Sequence, residues 1–314
     1  MKLTIENTEH WHVIRSKNIG GSEVSALFGR SPYTTKWQLW MEKSGKLQRP
    51  FDEKYTRAGK FFEAGIAAWA AEKWGMTIHK VEEYYTDDST PGMGATLDYA
   101  TDEGVPVEIK YNHYKSADWG YEEDVLTLVP ESYIWQCQHQ MACYGGDYAW
   151  LVAFIAGEPR RMKVKRSERI IESVRSSVSD FWASIAEERV PPVDYKTDGD
   201  ALADLMMISK FASAELDAED YEEVICLYRD AKATEKLAKE KIEEYRAMLL
   251  DAAEKAMHGI NDRGPKAKLK CGRFVISLSE VAENPGRLVT AEMVGTHVGG
   301  RKGHFKMTLK EEPQ

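Results

Sequence analysis

"LDYATDEGVPVEIK", residues 97–110, decides how this chain is read. Apolar and polar residues alternate on both sides of Asp102-Glu103-Gly104, the pattern of two short antiparallel strands joined by a three-residue loop with glycine in the left-handed position. Thr101 then pairs with Val105, and Ala100 faces Pro106 where no ladder hydrogen bond is needed. Counting back sets Asp98 opposite Glu108 and Thr96 opposite Lys110, all four side chains on one face. Two carboxylates facing each other across a ladder destabilise it unless something compensates.

A bound cation is the natural compensation. Asp98 and Glu108 offer hard oxygen ligands suited to Mg²⁺ or Mn²⁺, and the backbone carbonyl of Ile109 adds a third. Lys110 shares the face of Glu108 and reaches a water or phosphate oxygen beside the metal. This is equipment for hydrolysing a phosphodiester: the metal lowers the pKa of an attacking water, and cationic groups neutralise charge developing on the phosphate. The same residues read equally well as a surface hairpin with a Glu–Lys pair on a solvated face, because D-x9-E-x-K is a short pattern.

Upstream, "NIGGSEVSALFGRSPY" places a helix start at Ser22 and a stop at Gly29. A second helix runs through "TKWQLWMEKSG", capped by Thr34 or Thr35 and closed by Gly45. A third, about 54–74, aligns Ala58, Phe62, Ile66 and Trp69 in one stripe with Glu63 beside it. From Met76 the period becomes two, with strands in "MTIHKVEEYYTD", "GMGATLDYAT", "VPVEIKY", "DYAWLVAFIAG" and "RRMKVKR". Pro130 opens the helix "PESYIWQCQHQMACYG", and another helix spans about 168–188. The order predicts an α/β (α+β) fold with a mixed central sheet flanked by helices.

The 314 residues, 43% hydrophobic and 11% aromatic, are enough for one main domain plus an appendage. The composition shifts near residue 200, which predicts domains at 1–199, 200–258 and 259–314. Residues 217–257 form one long helical pattern with a loose heptad stripe through Val224, Tyr228, Ala231, Leu237, Ile242, Tyr245, Leu249 and Ala252. It reads first as a helix packed on its own chain, and second as a self-association seam. The closing stretches "AKLKCGRFVISLSE" and "GHFKMTLKE" read as a small β element.

The net charge is −9, unevenly spread: 200–258 carry 8 basic against 15 acidic residues, and 259–314 carry 10 against 6. An acidic total therefore does not exclude a local basic groove. "EPRRMKVKRSER", 158–169, reads either as such a groove or as a solvated edge strand guarded by charge. Cys137, Cys143, Cys226 and Cys271 form no C-x-x-C pair and read as reduced, buried thiols. No apolar run is long enough to span a bilayer, and the start has no secretory pattern, so the expected location is the cytoplasm. Nothing resembles a Walker loop, and the histidines show no metal-ligand spacing.

The pattern D-x9-E-I-K resembles the PD-(D/E)XK nuclease motif, and three further stretches resemble one branch of that superfamily, the YqaJ-type viral recombinases related to bacteriophage lambda exonuclease. "IGGSEVSALFGRSPYTTKWQLWMEKSG", 19–45, is similar to the family's amino-terminal signature; "RAGKFFEAGIAAWA" to its helix with an acidic residue; "YIWQCQHQM" to its glutamine-bearing helix. The resemblance covers about residues 10–190. It departs at Leu97, where the motif has proline, and leaves 200–314 unmatched.

The resemblance implies a restriction-endonuclease-like core and a Mg²⁺-dependent 5′-to-3′ exonuclease on linear double-stranded DNA, working by two-metal-type hydrolysis. Asp98 and Glu108 would ligate metal, Glu63 would add a carboxylate, and Lys110 would orient or activate the water. Gln136 would be the active-site glutamine, with Gln138 and Gln140 on the same helix left as alternatives. Arg15 and Ser22 would bind the 5′-phosphate; a serine at a helix start and a bidentate arginine suit an anion. Also implied are a homotrimeric ring, a single-strand annealing protein as partner, and a role in phage-type recombination in a bacterial host. An endonuclease or flap nuclease with the same site, or a non-catalytic DNA-binding scaffold, are the competing readings.

Overall fold

The computed structural model describes residues 1–47, 53–112, 117–209, 217–260, 264, 266–281 and 304–311. The chain divides into two compact units, Met1–Ala212 and Ser213–Gln314. The first begins with β1 (Lys2–Leu3), α1 (Thr8–Ser16), a 3-10 turn (Val24–Phe28), α2 (Lys36–Lys43) and α3 (Glu53–Trp74). Strands β2 (Ile78–Lys80), β3 (Tyr84–Thr86), β4 (Gly94–Thr96), β5 (Tyr99–Thr101), β6 (Pro106–Tyr111), β7 (Gly120–Glu122) and β8 (Val125–Leu128) follow. Then come α4 (Glu131–Tyr144), β9 (Tyr148–Ile155), β10 (Glu158–Lys165), α5 (Glu168–Ala186) and α6 (Gly199–Ser209).

Local chemistry sets the helix ends. Thr35 and Gln38 form a capping box at α2, whose exit passes through Gly45 at φ +75°; Ser167 caps α5 by accepting from the Ile170 N–H. Gly75, at φ +60°, stops α3.

Among the described residues the central sheet runs β2-β5-β6-β9-β10-β8-β7. β6 and β9 are parallel and joined through α4, so the sheet is mixed and needs a helix on each face. Cys137 and Met141 of α4 pack on Ala149, Leu151 and Val164 on one face. Ile66, Ala67 and Ala70 of α3 pack on Val107, Ile109 and Val152 on the other. A third cluster joins Ile19, Trp37, Trp40 and Met93 to Val178 and Phe181. This is the mixed α/β architecture expected.

Several expectations are corrected. The strand read through 92–101 breaks at Leu97–Asp98: β4 pairs with β3 in a separate small sheet, and β5 joins the central one. Thr96 therefore lies opposite Tyr84, not Lys110. The α3 stripe is also narrower than its apolar content suggests, because Phe62 and Trp69 are 51% and 43% exposed while Ile66, Ala67 and Ala70 are buried. β10 is interior rather than an edge, with β9 and β8 on either side. Two of its basic residues are absorbed locally: the Arg160 Nε donates to the Glu123 carbonyl at 2.9 Å, and Arg161 stacks on Trp74 and Trp150, while Lys163 and Lys165 are exposed. Cys137 is buried, Cys143 and Cys226 are half-buried, and Cys271 is exposed, so burial does not hold for all four thiols. α6 packs with the first unit through buried Ala201, and the compact units divide after Ala212.

The second unit comprises α7 (Ala218–Ala256), β11 (Lys266–Cys271), β12 (Phe274–Val281) and β13 (His304–Glu311). The strands form an antiparallel sheet in the order β11-β12-β13. Ala253 near the end of α7 packs with Ile276 and Leu278 of β12. The expected stripe is exposed over most of its length, with Tyr228 and Ile242 among its exposed residues; packing on the sheet is confined to the last turns.

Candidate active site

The hairpin has the register expected from its turn. Tyr99 lies opposite Val107 and Ala100 opposite Pro106, while the Thr101 N–H donates to the Val105 carbonyl at 2.9 Å and Gly104 takes φ +76°. Asp98 stands just before β5 begins, so its carboxylate replaces a strand as partner of β6. The Ile109 N–H donates to Asp98 Oδ2 at 2.9 Å. A strand residue's N–H and C=O leave by the same edge, which directs the Ile109 carbonyl toward the Asp98 side.

Glu108 is 1% exposed and accepts three hydrogen bonds, two on Oε1 and one on Oε2, which leaves an acceptor position on Oε2 for a cation. Its Oε1 accepts from Lys110 Nζ and from Gln136 Nε2, the latter at 2.6 Å; its Oε2 accepts from Gln140 Nε2 at 2.5 Å. Gln136 and Gln140 are one turn apart on α4, so one helix face clamps both oxygens. Gln138 points elsewhere, donating to the Lys165 carbonyl and accepting from the Ser167 N–H at the start of α5. Of the glutamines weighed from sequence, two meet Glu108 and the third is structural. The Gly20–Gly21 turn lies against this helix: a Cβ on Gly21 would sit 3.2 Å from Gln136 Cγ.

Burial, and then the neighbouring Glu108, push the Asp98 carboxyl up to about 8. For Lys110 burial works against the charge, but Glu108 and Asp98 outweigh it and hold the ammonium above its ordinary range. Its Nζ also lies 4.9 Å from the centre of the Tyr133 ring. The two carboxylates thus hold Lys110 in its charged form.

Glu63 lines the same cleft as Asp98, Ile109, Lys110, Gln136 and Ser22. It pairs with Lys80. The cleft continues past Tyr33, Tyr111 and Tyr133 into a larger one of about 730 Å³ bordered by Arg30 and Asn112. Tyr111 stacks on Phe62 at 4.8 Å, in keeping with a packing role; Tyr114 and His113 lie outside the described residues. His139 is buried with its Nε2 2.9 Å from the Gly94 carbonyl, a structural position.

Arg15 and Ser22 meet, the guanidinium donating to Ser22 Oγ at 3.3 Å. The helix expected at Ser22 is instead the short 3-10 turn beginning at Val24, with no side-chain cap. Ser22 thus has no α-helix start behind it, and the positive charge beside it comes from Arg15. Glu23 and Lys43 were not singled out from sequence. Glu23 accepts from Arg15 at 3.4 Å, from Lys43 at 2.9 Å and from the Gly20 N–H at 2.8 Å. Burial raises the Glu23 carboxyl, but Lys43 and Arg15 prevail and hold it below its usual range. Its only sequence signal was an acid beside Ser22, which resembles an ordinary first-turn residue.

A cation fits this donor set. Mg²⁺ is commonly held by one or two carboxylates plus substrate phosphates and water, and Asp98, Glu108 and the Ile109 carbonyl are hard oxygen donors. Among the described residues no three His, Cys, Asp or Glu side chains form a ready-made cluster, so backbone and substrate oxygens must complete the shell. No described helix is long and apolar enough to cross a membrane.

Residues 10–147 match the family model of the YqaJ-like viral recombinase domain, in keeping with the resemblance carried by the motifs. The chain is 25% identical over 216 residues to an uncharacterized protein YqaJ of Bacillus subtilis (strain 168), a match covering 66% of this chain and 64% of that protein. The chain therefore spans less than two-thirds of that relative's length. An alkaline exonuclease from Laribacter hongkongensis is similar in structure, with TM-score 0.45 and 18% identity over 58% of this chain and 94% of that one. A phage-related exonuclease from Haemophilus somnus 129PT gives 0.42 and 11% over 55% and 96%.

Proposed function

We propose that this chain, whose residues 10–147 carry a YqaJ-like viral recombinase domain, is a Mg²⁺-dependent nuclease that degrades linear double-stranded DNA from its 5′ ends. The observation that carries the reading is the meeting of Asp98, Ile109 and Lys110 in one cleft above a Glu108 clamped by Gln136 and Gln140. A divalent cation held by Asp98, Glu108 and the Ile109 carbonyl, with Mn²⁺ able to substitute and hydrolysis of the two-metal type, supplies water activation and charge neutralisation.

The chain's own residues do the rest. Gln136 and Gln140 hold the Glu108 carboxylate in one orientation, and Lys110 places its charge where a phosphate oxygen gains negative charge. Glu63, steadied by Lys80, adds a carboxylate at the rim. Arg15 and Ser22 grip a terminal 5′-phosphate, with Glu23 and Lys43 fixing the arginine from behind. The 5′-to-3′ polarity, the 3′ single strands left for phage-type recombination, the homotrimeric ring and the annealing-protein partner follow from the family resemblance.

Digestion of linear duplex with and without 5′-phosphate, in Mg²⁺ or in EDTA, tests this. Metal-dependent loss of one strand from phosphorylated ends is expected, abolished by Lys110→Ala and losing its phosphate preference in Arg15→Ala. Cutting of closed circles would replace the exonuclease with an endonuclease. Binding without cleavage in any divalent cation would leave a scaffold.

A further inference from the structure

We propose that the sheet of the second unit is a separate, sequence-independent DNA-backbone surface. On β12 the buried Ile276 and Leu278 face α7, so Val275, Ser277 and Ser279 belong to the opposite face. The ladder then sorts the neighbours. Lys270 and Lys310 flank Val275, Lys268 and Thr308 flank Ser277, Lys266 and Lys306 flank Ser279, and His304 lies opposite Val281. Lys266, Lys268 and Lys270 are exposed.

By register, the described positions of that face hold lysines, hydroxyl residues, two valines and one histidine, and no acid. Glu280 and Glu311 fall on the other parity, opposite Phe305 and Phe274. Solvated faces of small sheets ordinarily mix signs, and like charges on neighbouring strands repel. A one-sign face in a chain of net charge −9 calls for a polyanion.

The chemistry favours the sugar–phosphate backbone. On β11 lysines recur every second residue, about 6.8 Å apart along the strand, as an extended row of point charges rather than a single anion pocket. Ser277, Ser279 and Thr308 interleave hydroxyl donors of the kind that bind phosphate oxygens. Among the described residues the face has no aromatic row on which bases could stack and no apolar wedge that could enter a lipid layer, so contacts there would be to backbone only. The choice of DNA over another polyanion rests on the nuclease reading of the first unit.

The test measures full-length protein binding a fluorescent duplex in EDTA across a salt series, comparing wild type, Lys266→Gln/Lys268→Gln and Lys266→Arg/Lys268→Arg. Each lost phosphate contact lowers the slope of log K against log salt by about 0.9, so the glutamine pair should lose about 1.8 and bind about tenfold more weakly at low salt. The arginine pair should bind as wild type does. Equal slopes in wild type and the glutamine pair would overturn the proposal, as would lysine-dependent binding to phosphatidylserine vesicles without lysine-dependent binding to duplex. The two readings fail separately: lysine-dependent binding with no Mg²⁺-dependent digestion removes the nuclease and keeps this surface, whereas digestion with unchanged binding does the reverse.

Discussion

Gln140 shows how much of this site is positioning. Its amide nitrogen holds Glu108 Oε2, while Gln136 and Lys110 hold Oε1, leaving a buried carboxylate little freedom to turn. Gln140→Ala should cut activity or metal affinity by about 10–100-fold, the usual effect of losing a group that orients a ligand. Steady-state kinetics over a Mg²⁺ titration will show it, and Gln138→Ala should leave that titration unchanged because its partners are Lys165 and Ser167. His139 carries a pH effect. Burial lowers its pKa, so the native ring stays neutral while the unfolded ring takes up a proton below about 6.5. Its contribution is present above that pH and lost as pH falls, by about 1.4 kcal/mol per unit while the native ring remains neutral. Urea unfolding at pH 7 and pH 5.5 should show that loss, and His139→Gln should flatten it.

At the scale of elements, helix ends and the hairpin were legible because their signals are local. The capping box at Thr35, glycine at Gly45 and Gly75, and the three-residue turn at Gly104 need only neighbours in sequence. The break between β4 and β5 was not legible, since period two continues through Leu97; what ends β4 is its pairing with β3 and the close approach of Gly94 to Ile19 and Tyr84. The 3-10 turn after Ser22 was hidden for the same reason: its apolar spacing suits an α-helix, and the packing of Val24 and Leu27 into the core decides otherwise. Thr35 also joins distant elements, donating to Asp198 Oδ1 at 2.7 Å while accepting from the Gln38 N–H. Thr35→Ala removes a cap of about 1 kcal/mol and leaves a buried carboxylate oxygen short of a donor at about 1–3 kcal/mol. Chemical denaturation should show a loss of about 2–4 kcal/mol, and Thr35→Ser should recover most of it.

For the whole molecule, the candidate site gathers residues from the amino-terminal turn, α3, the hairpin and α4, all within the first unit. That segment was readable because its motifs occur in order; how far the unit extends was not, since α6 buries Ala201 beside partly buried Leu202 and Leu205 but leaves Met206, Met207 and Ile208 exposed, so its apolar content does not say which unit it joins. Ending the chain after Ala212 should leave the unfolding midpoint of the first unit unchanged. Ending it after Asp198 should lower that midpoint by about 5–10 °C, given about 2–4 °C per kcal/mol for a unit of this size. Differential scanning calorimetry of the two truncations distinguishes them.

The turn at Asp102-Glu103-Gly104 has a further consequence. Register on either side is held by Thr101 and Val105, and Asp98 is tied to β6 by the Ile109 N–H, so the spacing of Asp98 and Glu108 does not depend on the residues that close the turn. Loop closure grows only slowly more unfavourable with length. The chain can therefore accept an insertion at this tip, even a sizeable one, without separating its two carboxylates. The tip is thus a place to graft a tag or recognition loop onto the molecule.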